Sequence, residues 1–154
     1  MMNAFLTTIA AGIVGTTGMS LVMWFITSTG LANAAMIRAI GSMFTKSYEN
    51  ALGPGLLLHY ISGILFAFLY VLLISLLSPD SLVGAIGAGA MIGIFHGVAF
   101  AFLLVIMVAE HHPIEQFRNA GFEVAIAHLV GHLVYGLLVG TVVGITGIRV
   151  FLID

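Results

Sequence analysis

Four stretches of this chain contain no Asp, Glu, Lys or Arg: residues 1–37, 50–79, 81–109 and 124–148. Each exceeds the roughly 20 residues that a helix needs to cross the hydrocarbon core of a bilayer. In lipid the backbone must satisfy its own polar groups, so runs of this kind cross as helices. A transmembrane barrel would show short alternating segments instead. Helices are expected near 5–28, 55–77, 83–108 and 123–148. The fold class is therefore all-α: a polytopic membrane protein, a four-helix transmembrane bundle forming one domain over 1–154. Composition agrees, with 6% charged residues against about a quarter in a soluble domain.

The same numbers exclude several functions. Net charge is −2 with 4 basic residues, so there is no basic patch and no nucleic-acid partner is expected. Cysteine is absent, which removes disulfides, thiolate metal ligands and a Cys nucleophile. The first apolar run lacks the basic start of a signal peptide and is too long for one, so it reads as a retained helix. No Walker loop, dinucleotide fingerprint, HExxH or GxSxG is present. No carboxylate lies deep in a span, which argues against an acid-driven proton or sodium carrier. The reading is of a non-enzymatic protein.

Slid along itself until His59 falls on His128, the chain partly matches itself. At that one offset Val14, Gly15 and Gly18 fall on Val83, Gly84 and Gly87. The match points to two tandem helical hairpins in parallel orientation. The short "SPDS" (78–81) joins the halves, a tight connection. Residues 29–54 and 109–122 read as longer loops on the opposite side, carrying Arg38, Lys46 and Arg118. Three basic residues there, against Arg149 and the terminal amine at the other end, put those loops in the cytoplasm. The expected location is the bacterial inner (cytoplasmic) membrane. Glycines spaced by four, at 89, 93 and 97 and at 136, 140 and 144, suit close helix approach; room for a flat macrocycle is the rarer use.

Six histidines are many for so apolar a chain. Ionisable groups in spans face the bundle interior and pair with each other or mark a pathway. His59, His128 and His132 lie in the loop-side half of their helices, His96 lies near mid-span, and His111 and His112 lie at the membrane edge. His128 and His132 are one turn apart on one helical face. Such a pair can chelate a metal through neutral imidazole nitrogens. His59, His96, His128 and His132 are the candidate metal ligands, with Met19 and Met23 as soft ligands that would suit copper(I). Glu110, His111, His112, Glu115 and Glu123 form a candidate rim site. The cofactor expectation is a copper-like ion or haem b, the latter held axially by histidines on different helices. For single residues the plainer roles compete: interhelical hydrogen bonding for the histidines, core filling for the methionines, interface anchoring for Trp24 and Tyr60.

"AGIVGTTGMSLVM" (11–23), "LLLHYISGILFAFLY" (56–70) and "HLVYG" (132–136) together resemble a group of small bacterial four-helix integral membrane proteins of uncharacterised function. The resemblance spans most of the chain. It implies the helix count and no mechanism. The leading expectation is a metal- or haem-holding accessory or electron-transfer subunit of a larger membrane complex. Its partners would be the lipid bilayer and other membrane subunits or further copies of itself. The alternatives are a packing subunit without cofactor and a small oligomeric channel or carrier with a histidine proton relay.

Overall fold

A computed structural model describes residues 3–103, 111–119 and 121–149. Five α-helices run through them: α1 (Ala4–Ser28), α2 (Met36–Thr45), α3 (Leu52–Leu77), α4 (Leu82–Leu103) and α5 (Phe122–Thr146). No strand occurs among the described residues. Helices α1, α3, α4 and α5 are each long and apolar enough to cross a membrane. They are apolar around most of their circumference, as helices between lipid and a protein interior must be. Leu21, Trp24, Phe25, Leu57, Leu65, Phe95 and Phe102 face outward. The buried polar groups, including Thr7, Thr8, Thr16, His59, His128 and His132, face inward.

Local chemistry sets the helix ends. The Asn3 side chain accepts from the Phe5 amide to start α1, and Ser81 Oγ accepts from the Gly84 amide to start α4; both are N-cap bonds. Gly147 closes α5 in the left-handed conformation at φ 62°, just short of the expected end at 148. "GPG" (53–55) does not delay α3, which begins at Leu52. Pro54 sits in the first turn, where its missing N–H has no intrahelical partner to lose.

The stretch expected as an open loop, 29–54, is largely structured. α2 is a strongly amphipathic helix that buries Met36, Gly41 and Ser42 and exposes Met43 and Phe44. It lies against the start of α3 through two glycines. A Cβ at Gly41 would collide with the Ala51 carbonyl, and one at Gly55 with the Ile37 carbonyl. Arg38 donates to the Tyr48 carbonyl at 2.7 Å and stacks on the Tyr48 ring.

Around the bundle, α1 lies between α3 and α5, and α5 lies between α1 and α4; α3 and α4 close the ring more loosely. The α4–α5 pairing is the most extensive. Its glycine stripes are spent on backbone contact: a Cβ at Gly89 would collide with the Gly136 carbonyl oxygen, and one at Gly140 would stand 2.5 Å from that of Ala85. Lipid tails are as apolar as side chains, so such close contact drives association in a membrane.

The two hairpins are equivalent, but not by one offset. Gly12 meets Ile64 and the Gly63 carbonyl, and Gly93 meets Leu133 and the His132 carbonyl. Gly63 meets Thr16, and Gly97 meets His132. With Gly63 and Ile64 laid on His132 and Leu133, the same offset that carries His59 onto His128, Gly12 and Thr16 correspond to Gly93 and Gly97. That offset is about three helical turns larger. The offset read from the sequence therefore cannot hold for both helices of the hairpin. The difference is absorbed by the longer first connection, which carries α2.

Both longer connections gather at one end of the bundle. His112 Nε2 donates to the Ala39 carbonyl at 3.1 Å, and the Asn33 amide donates to the Gln116 carbonyl at 3.2 Å. At the other end Arg149 donates to the Pro79 carbonyl at 3.1 Å.

Candidate functional site

The interior of the loop-side half is a seam of imidazole and phenol groups. On α5, His128 Nδ1 donates to the Val124 carbonyl and His132 Nδ1 to the His128 carbonyl, each at 2.8 Å. A carbonyl only accepts, so both rings carry their proton on Nδ1. Nε2 in each neutral ring is then a lone-pair acceptor. Among the described residues neither Nε2 has a hydrogen-bond partner.

On α3, His59 Nε2 lies 3.1 Å from Ser20 Oγ of α1. The Ser20 hydroxyl already donates to the Thr16 carbonyl at 2.7 Å. Ser20 therefore accepts, and His59 is the Nε2–H tautomer. On α4, His96 Nδ1 pairs with the Tyr70 hydroxyl of α3 at 3.0 Å. The His96 and His132 ring centroids are 4.4 Å apart, edge to face. His96 Nε2 is buried with no hydrogen-bond partner among the described residues. Tyr70 packs edge-on against Tyr135 at 5.1 Å, and the Tyr135 hydroxyl donates to the Gly63 carbonyl. Tyr60 pairs with Thr17 at 2.9 Å, a further tie between α3 and α1.

The structure thus brings His59, His96, His128 and His132 into one interior region, as their depths predict. Among the described residues, however, no three His, Asp or Glu side chains gather as a group able to hold a metal ion. Met19 and Met23 belong to the buried core and lie against Gly131, with Met23 Sδ 3.1 Å from where a Cβ there would stand.

The rim residues do not converge. His111 is exposed and His112 is buried. His112 uses both nitrogens: Nδ1 accepts from the Ile114 amide at 3.1 Å and Nε2 donates to Ala39. Its carbonyl takes Arg118 Nε at 2.7 Å. Glu115 and Glu123 are exposed, and Glu123 sits in the first turn of α5, where the helix dipole favours a carboxylate. Glu110 lies outside the described residues.

Two members of the seam were not singled out by the sequence: Ser20 and Tyr70. Tyr70 carried a signal, because a tyrosine deep in an apolar run is out of place for an interface anchor and needs a partner for its hydroxyl.

These features define a polytopic, all-helical integral membrane protein with a polar interior seam. The chain belongs to a family of unknown function, DUF6789, whose model matches residues 2–150. No curated protein and no solved structure matches it.

Proposed function

We propose that this protein is a non-enzymatic integral membrane subunit whose buried histidines tie its helices into a rigid bundle for assembly with other membrane proteins. The observation that carries this reading is the use made of the imidazoles. His59 bonds across to α1, His96 bonds across to α3, and His128 and His132 bond back onto their own helix. Interhelical hydrogen bonds of this kind hold spanning helices in register where apolar contact alone is indifferent.

The test is an absorption spectrum and elemental analysis of gently purified protein, alongside unfolding of His59→Ala and His96→Ala. The expected result is protein without stoichiometric metal or a Soret band, with both variants less stable by about 1–2 kcal/mol. A Soret band, or about one metal per chain that the variants lose, overturns it.

One observation favours a second reading. The Nδ1–H bonds of His128 and His132 fix ring orientation and leave Nε2 as a donor atom, which is how ligating histidines are held. A transition-metal ion, copper-like, would bind there. The glycine faces that would make space for haem b are filled by helix contact, which favours an ion over a macrocycle. A copper-loaded protein whose metal is lost in His132→Ala would establish this reading instead.

A further inference from the structure

A cleft of about 300 Å³ opens at the loop end of the bundle, between α2, residues 112–119 and the start of α5. Its walls are mostly apolar, including Met36, Ala39, Phe117 and Val124, and His128 lines it. Exposed Met43 and Phe44 of α2 stand at its edge. An amphipathic helix of this kind is suited to the membrane interface, where its edge would meet lipid rather than bulk water.

Among the described residues, the one buried polar side chain of this wall without a second partner is His128, which is 5% exposed. His112 also lines the cleft, but both its nitrogens are already engaged. His128 has its Nδ1 proton committed to Val124, so what it offers is a lone pair. A ligand that satisfies it must donate a hydrogen bond, and the rest of that ligand must be apolar. The volume lies at the small end of ligand pockets, which are typically about 300–1,000 Å³, and fits one substituted ring. Thioether and aromatic walls suit a ring face.

We infer that this cleft binds a lipid-soluble phenol or hydroquinone, whose hydroxyl donates to His128 Nε2. The site is separate from the helix-tying role of His59 and His96 and stands whether or not that role holds.

The experiment uses the full chain in lipid nanodiscs with three probes: a trimethylphenol, its methyl ether and nonanol. Binding is followed by calorimetry and by the ¹⁵N resonance of His128 Nε2. The phenol is expected to bind at least ~10-fold more tightly than the ether, which keeps the shape and loses the donor, and to shift the His128 resonance. Equal binding of phenol and ether overturns the inference, and so does no binding of either. Nonanol binding as tightly as the phenol overturns the assignment to a ring. His128→Phe should bind phenol and ether alike. If that variant does not fold, Ala39→Phe fills the cleft from α2 and leaves His128 itself in place. It should abolish binding of both with helix content unchanged; undiminished binding in Ala39→Phe places the probe elsewhere and overturns the inference.

Discussion

Tyr70 and Ser20 show how much a single hydroxyl does in an interior that has few. Each is the partner of a histidine on a neighbouring helix. Tyr70→Phe should cost about 1 kcal/mol in detergent unfolding, because it leaves His96 without its Nδ1 partner while the ring stays in place. An unchanged unfolding midpoint would mean that the bond contributes nothing net. His112 works differently. It lies outside the spans and pins residues 112–118 to α2. His112→Ala should speed amide exchange in α2 while α1, α3, α4 and α5 keep their protection. Uniform loss of protection would show instead that α2 and the bundle unfold together.

Among the elements, α4 and α5 carry the sharpest contrast. Gly136 and Gly87 are both helical glycines, and composition treats them alike. A side chain at Gly136 meets the Gly89 backbone, which cannot move aside; one at Gly87 meets nothing within 4 Å. Gly136→Leu should therefore cost about 3 kcal/mol or more through overpacking. Gly87→Ala should be neutral or gain about 0.5–1 kcal/mol from improved helix propensity. Thermal unfolding of the two variants beside the parent checks both. The same glycines explain why the internal repeat reads at one offset in sequence. Gly15 and Gly18 fall on Gly84 and Gly87 when His59 falls on His128, yet Gly12 and Gly93 are the pair that do the same job. Glycine-rich helices align with one another at several registers; only contact selects the register that matters.

For the whole molecule, the sidedness is a geometric consequence of four spans and three connections. Residues 29–51 and 112–119 share one end, and Pro79 and Arg149 share the other. The chain has no cysteine, so single-cysteine labelling reads this directly. Asn50→Cys and Asp80→Cys should react with an impermeant reagent from opposite sides of the membrane. The charge balance of the connections predicts that Asn50→Cys is protected in intact cells. Labelling of both positions from one side would refute the four-span topology.

The number of spans, their approximate limits and the use of glycine for helix contact were all legible in the sequence. Each depends on local physics: charge-free length against bilayer thickness, helix rise, and the absence of a side chain. α2 was not legible, because so short a helix between spans carries no length signal, and its amphipathic face has meaning only against the glycines at the start of α3. The fate of the imidazoles was not legible either. His59, His96, His128 and His132 are the same residue at comparable depths. Which nitrogen is engaged and which remains a lone pair depends on the hydroxyl or carbonyl that another turn or another helix brings within hydrogen-bonding reach. That choice is made by three-dimensional proximity, which spacing along a chain does not encode.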